Sequence, residues 1–240
     1  LLDVLRSPVF WCIAIGYASF NFTVAGLGAL GPLLMLELGL VKTESIASTI
    51  FGAVVAGAGL LGTGLGGWAL DLLIAHRTGD RDPATDRPSR LLGSLDLMAP
   101  TMVLAAGFAI VAVFLDAHLV PFIIFITLSC IAVFLSNAAC NLAAITSVPV
   151  HSRAFAIGVC QIVQHAFGDV PSPTVIGLVA DALAPPHGKG PTAKRSPQGL
   201  RWTLLILMAW LIWGVLGWGV AWVLARRRRQ HAIQEKLMIQ

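Results

Sequence analysis

The chain has 240 residues, of which 57% are hydrophobic and only 12% charged, and its mean hydropathy is +0.82. An average soluble domain carries roughly 25% charged residues, so a chain this apolar cannot cover itself in water and belongs in a membrane. The net charge of +4 is smaller than the basic run Arg226–Arg229 with Lys236, which excludes a broad basic surface for nucleic acid.

A helix needs about 20 apolar residues to cross ~30 Å of hydrocarbon. Six stretches meet that length: 8–38, 44–74, 97–115, 119–148, 153–181 and 202–225. The predicted fold is all-α, a polytopic membrane helix bundle of six transmembrane helices occupying 1–240. An Asp/Arg/Pro-rich loop is expected at 76–96, a Pro/Gly/Lys loop at 184–199 and a basic tail at 226–240. Six spans place both termini on one side, together with Arg6, Arg77, Arg81, Arg87, Arg90, Arg153 and the basic tail. The opposite side receives Lys42, Lys189, Lys194, Arg195 and Arg201. The excess of positive charge assigns the termini, the first loop and the tail to the cytoplasm. The first apolar run is too long for a signal peptide.

In the second span Gly62 and Gly66 form a small-xxx-small ridge that Ala58 extends. In lipid, such a ridge lets two backbones approach closely. Cys12, Cys130, Cys140 and Cys160 lie in apolar stretches without CxxC spacing and read as small buried hydrophobes. The histidines form no metal-binding pattern, so neither a metal nor a cofactor is expected.

Polar groups inside spans are costly and therefore informative. The first span carries Tyr17, Ser19, Asn21 and Thr23; the fourth carries Asn137 and Asn141 at i,i+4 beside Ser136. The fifth is the most unusual, with Gln161, Gln164, His165 and Asp169 at mid-depth. At helical spacing Gln161, His165 and Ser172 share a stripe, and Asp169 lies within about 80° of it. The backbone is interrupted at the same place, at Gly168, Pro171 and Pro173, because proline donates no N–H and the freed carbonyls need other partners. Two readings stand. His165 and Asp169 either cap broken backbone, or form a proton or substrate group beside a hinge.

Gly67-Trp-Ala-Leu-Asp71, followed by basic residues, resembles the G-x-x-x-D-[RK] loop motif of the major facilitator superfamily, with Leu72 where the motif has a basic residue. The finer resemblance is to the C-terminal half of the Spinster family. The run His165-Ala-Phe-Gly168-Asp169-Val-Pro171-Ser172-Pro173-Thr-Val-Ile-Gly177-Leu-Val-Ala-Asp181 is similar to that family's H-x-x-G-D-x-x-S-P-x-x-x-G-x-x-x-D signature. Thr23–Pro32, the glycines from Gly52 to Gly67 and the short loop from Val148 to Arg153 also resemble it, so the likeness covers most of 1–181.

The resemblance implies half of a major facilitator fold whose partner is a further six-helix half upstream. It also implies secondary transport of a small amphiphilic substrate, such as a lysophospholipid or sphingoid phosphate, by alternating access, with the proton coupling of several family members. On that reading His165, Asp169, Gln161, Gln164, Asn137, Asn141, Asn21 and Thr23 line the substrate or proton pathway. Gly168, Pro171 and Pro173 form the hinge, and Asp71 and Arg153 the gate. Imidazole is the side chain whose charge changes near neutral pH, which suits His165 to biasing one cavity state. The alternatives are an intramembrane lipid-modifying enzyme using His165 and Asp169, a transporter of another small organic solute, and a six-helix protein that dimerises.

Overall fold

The structure, a computed structural model, describes residues 2–79, 82, 86–115, 118–185 and 195–238, and every regular element among them is helical. After the single turn α1 (Leu2–Leu5), Ser7 caps α2 (Pro8–Glu37) by accepting from the Phe10 N–H at 3.3 Å. Thr43 caps α3 (Glu44–Thr78) in the same way through Ile46, at 3.3 Å. Asp86 caps α4 (Arg87–Phe114) through Ser89 at 3.4 Å, with proline in the first turn.

The last three expected spans are each divided. At Ser136 the fourth breaks into α5 (Leu119–Leu135) and α6 (Asn137–Thr146). The fifth consists of α7 (Arg153–Gln164), a π turn at His165–Asp169 and α8 (Pro171–Leu183). The sixth is α9 (Pro197–Ala209) and α10 (Leu211–Met238), joined at Trp210. Five stretches are long and apolar enough to cross a membrane: Pro8–Glu37, Glu44–Thr78, Arg87–Phe114, Leu119–Thr146 and Pro197–His231. In the remaining one the π turn leaves two pieces that are each too short alone.

Two sequence boundaries need correction. The expected loop 76–96 is mostly helix, since α3 runs to Thr78 and α4 starts at Arg87. The helices outlast their apolar stretch because Arg77 and Asp96 neutralise each other across them. Residues 80, 81 and 83–85 of that loop lie outside the described set, as do 186–194 of the second loop. The expected tail at 226–240 is also helical through Met238, because it is rich in good helix formers and contains no Gly or Pro.

Buried residues on α3 recur every fourth position (Ala58, Gly62, Gly66, Leu70, Ile74) and form one stripe. A methyl group on Gly62 would stand 2.7 Å from the Ile131 carbonyl oxygen, and one on Gly66 would overlap the Leu135 carbonyl. The expected packing ridge therefore lies on α5. The first and last long helices are antiparallel neighbours. Trp218 Nε1 donates to the Ile13 carbonyl at 3.3 Å, and Ser19 Oγ donates to that of Trp210 at 2.7 Å.

The bundle has two chemically distinct ends. One gathers Asp3, Arg77, Arg87, His151 and Arg226–Arg229, joined by the Arg77–Asp96 pair, Trp222 and a 3.3 Å Asp3–His151 contact. At the other, Arg195 NH2 pairs with Asp181 at 2.7 Å and its backbone N–H donates to Glu37 at 3.1 Å. Among the described residues, Arg77, Arg87 and Arg226–Arg229 thus lie at one end and Arg195 at the other.

Candidate functional site

The polar side chains of α2 sit one turn apart and reach different partners. Tyr17 OH donates to Asn137 Oδ1 at 2.7 Å and accepts from Asn141 Nδ2 at 3.1 Å. Asn21 Nδ2 donates to Gln164 Oε1 at 2.9 Å, and the Gln164 amide donates to Cys160 Sγ at 3.2 Å. The Tyr17 and Asn21 bonds close gaps between α2 and either α6 or α7, where an unpaired amide at membrane depth would be costly. Interhelical bonds of this kind contribute ~0.6 kcal/mol each on average. Beside them is a cavity of about 250 Å³ between α6 and α7. Asn141, Gln161 and Gln164 supply its polar groups; Leu142, Ile145 and Ile157 supply apolar wall. Neutral amides on apolar walls suit an amphiphile: they orient a headgroup without trapping it by charge.

His165 and Asp169 follow on the π turn. His165 Nδ1 and Asp169 Oδ2 are 2.6 Å apart, with side chains 59% and 39% exposed. The turn closes through the Val170 N–H, which donates to the His165 carbonyl five residues back at 3.1 Å. It lies hard against α2, where a methyl on Gly168 would stand 2.8 Å from the Ala18 carbonyl oxygen. Proline at 171 starts α8 and needs no N–H partner there.

The extra residue in the turn overturns one expectation. Ser172 does not share the stripe of Gln161 and His165. It is fully buried, and its hydroxyl donates to the Phe22 carbonyl. A π turn adds one residue to the helical register, which rotates everything after it by about 100°.

The structure brings Asn137 and Asn141 together, and Asn21 with Gln164; Gln161 lines the same cavity as Asn141 and Gln164. Thr23 points elsewhere: it is 1% exposed and its hydroxyl donates to the Ser19 carbonyl of its own helix. Asp71 and Arg153 are not paired. Asp71 is exposed two turns inside α3, not at a helix end, because α3 continues to Thr78. Arg153 Nε is buried without a hydrogen-bond partner.

Two groups were not among the expected pathway residues. Tyr17, noted only as a polar residue of the first span, joins two asparagines, and its position one turn before Asn21 was the available signal. The other group is Asp96, which pairs with Arg77 and accepts from Trp222 Nε1 at 2.9 Å, while the Arg226 guanidinium lies 5.0 Å from the Trp222 ring centre. Asp96 ties α3, α4 and α10 together at the Arg-rich end, the place expected for an Asp71 latch.

The fold matches solved transporters. Two crystal structures of a bacterial homolog to the human lysosomal transporter Spinster, both inward-facing, superpose with a TM-score of 0.69. The unoccupied form is 19% identical, over 94% of this chain and 49% of that one; the occupied form is 20% identical, over 91% and 50%. Two Arabidopsis thaliana relatives, each named a probable sphingolipid transporter, agree. Spinster homolog 3 is 28% identical over 178 residues, 74% of this chain and 31% of its own; homolog 1 is 26% identical over 215 residues, 90% and 38%. The chain is similar to Spinster transporters of the major facilitator superfamily. The family model for the Organic Anion Transporter Polypeptide (OATP) family matches residues 116–183, which carry the cavity and the π turn. This Spinster-like chain spans about a third of the curated relatives and half of the solved chains. Its relatives are transporters, so the intramembrane-enzyme alternative is set aside.

Proposed function

We propose that residues 1–240 form the C-terminal six-helix half of a secondary transporter that moves amphiphilic lipids by alternating access against a second six-helix half. The supporting observation is the His165–Asp169 pair, open at mid-span among the exposed side chains of Ile162, Phe167 and Val170. An ionisable pair cannot rest against lipid tails. This surface therefore meets protein or water, as it would on the path between two transporter halves.

In this proposal the amides of Asn21, Asn137, Asn141, Gln161 and Gln164 meet the headgroup, and the apolar wall of Leu142, Ile145 and Ile157 accommodates an acyl chain. The His165–Asp169 pair is the place where this proposal couples transport to protons. The π turn at Gly168, with Pro171 and Pro173, is the hinge. Arg153 and Asp71, unpaired among the described residues, take partners on the second half when the gate closes. The sphingolipid named for the Arabidopsis relatives makes a sphingoid phosphate the first substrate to try.

The test is uptake of a fluorescent sphingoid phosphate by proteoliposomes containing the complete protein, normalised to monodisperse protein. Saturable uptake is expected from the complete protein and none from residues 1–240 alone; the reverse result overturns the half-transporter reading. A second reading, a water-soluble organic anion as cargo, is favoured by the family-model match over 116–183. An organic anion without an acyl chain, taken up faster than the lipid, would establish it.

A further inference from the structure

The Arg-rich end contains positive charge that the proposed pathway does not use. A second cavity there, of about 280 Å³, lies between the start of α4, the end of α6 and α10. Three guanidinium-bearing residues line it, Arg87, Arg228 and Arg229, and no acid does. Arg87 is fixed in place: its NH2 donates to the Thr146 carbonyl at 3.1 Å and to that of Val148. Carbonyl oxygens orient a guanidinium without cancelling its charge, and further N–H donors remain free. Neither Arg228 nor Arg229 has a hydrogen bond or ion pair among the described residues.

The neighbouring cavity of about 330 Å³ shares Arg229, but its other two arginines are already engaged. There Arg77 is paired with Asp96, and Arg226 lies over Trp222. Three like charges around one hollow repel one another and raise the local potential for an anion. The guanidinium fork matches phosphate in two-point geometry. The remaining wall decides what carries that phosphate. Pro88, Leu91 and Ala225 are apolar, and Ala225 is the last residue before the basic run on α10, the level at which a helix leaves hydrocarbon for headgroups.

We propose that this cavity binds the phosphate of an anionic membrane phospholipid, held by Arg87, Arg228 and Arg229, with the lipid's glycerol and chains along Leu91 and Ala225. The site is separate from the α6–α7 cavity and does not depend on the transport reading. Bound lipid would join α4, α6 and α10 through its headgroup.

The experiment is lipid binding by the complete protein in detergent, counted as adducts by native mass spectrometry. Phosphatidate, phosphatidylcholine and inorganic phosphate are the probes. The expected result is phosphatidate binding about tenfold tighter than phosphatidylcholine. Arg228→Gln with Arg229→Gln should remove about tenfold of that affinity, each arginine contributing several-fold at a headgroup. Arg226→Gln with Arg227→Gln removes the same charge outside this cavity and should change affinity less than about threefold. Equal losses in the two double variants would mean a diffuse basic surface and overturn the site. Equal binding of phosphatidylcholine would also overturn it, as would displacement of phosphatidate by millimolar inorganic phosphate.

Discussion

At the residue scale, the ties of α2 through Tyr17 and Asn21 and the His165–Asp169 pair are the chemically specific parts of the molecule. A hydrogen bond to a charged group contributes about 1.5–3 kcal/mol. Asp169→Leu in the complete protein is therefore expected to slow lipid uptake by tenfold or more at unchanged monodisperse yield. His165→Ala removes the imidazole partner of Asp169 and should slow uptake to a similar extent. Wild-type rates in both variants would reduce the pair to a helix cap. Two glycines of α3 make a matched comparison. Gly66→Ala sets a methyl into the Leu135 carbonyl and should lower the complete protein's stability by about 1–3 kcal/mol. Gly64→Ala meets open space and should raise it by up to about 1 kcal/mol through helix propensity. Thermal unfolding in detergent reads both. The chemistry of Asn137, Asn141, Asn21 and Gln164 was legible because amides inside a span are conspicuous. Their pairing through Tyr17 was not, since it joins residues 120 and 124 positions apart.

At the element scale, a hydropathy reading finds where apolarity ends, and helices do not end there. Caps and ion pairs set the ends of α3 and α4, and helix-forming basic residues extend α10. The interruption in the fifth span was legible from its prolines, but not that it is a π turn, because proline excludes the ordinary bond without specifying its replacement. This makes a register prediction. Pro171→Ala with Pro173→Ala restores two N–H groups and lets the segment revert to an α-helix, rotating α8 by about 100°. A cysteine at position 172 should then become reactive to a thiol reagent, and one at Leu178, now exposed, should become less so. Unchanged reactivity at both positions would show that the α2 contacts, not the prolines, hold the turn.

At the scale of the whole molecule, five of the six expected spans were legible as long apolar helical stretches, because apolarity depends on composition along the chain. Which helices touch depends on packing, and composition does not encode it. The two-ended arrangement can be tested directly. Single cysteines in place of Lys42 and His151, both exposed, should label from opposite faces of an intact membrane. His151 should share its face with Arg227. Labelling of positions 42 and 151 from the same face would require a different threading of α3 to α6.

The antiparallel seam between α2 and α10 has a consequence for biogenesis. Ser19 bonds to a carbonyl 191 residues later, and Asn21 to an amide 143 residues later. At ~5–20 residues per second, the ribosome needs roughly 10–40 s to deliver the partner of Ser19. Throughout that interval the first long helix is in the membrane with its polar groups unmatched, so it depends on the insertion machinery or on provisional neighbours. A nascent chain stalled after Leu183 should stay crosslinked to the insertion machinery through a photoreactive residue at Gly16. One extended past Trp218 should release it, because the indole then fills the groove that Gly16 leaves open.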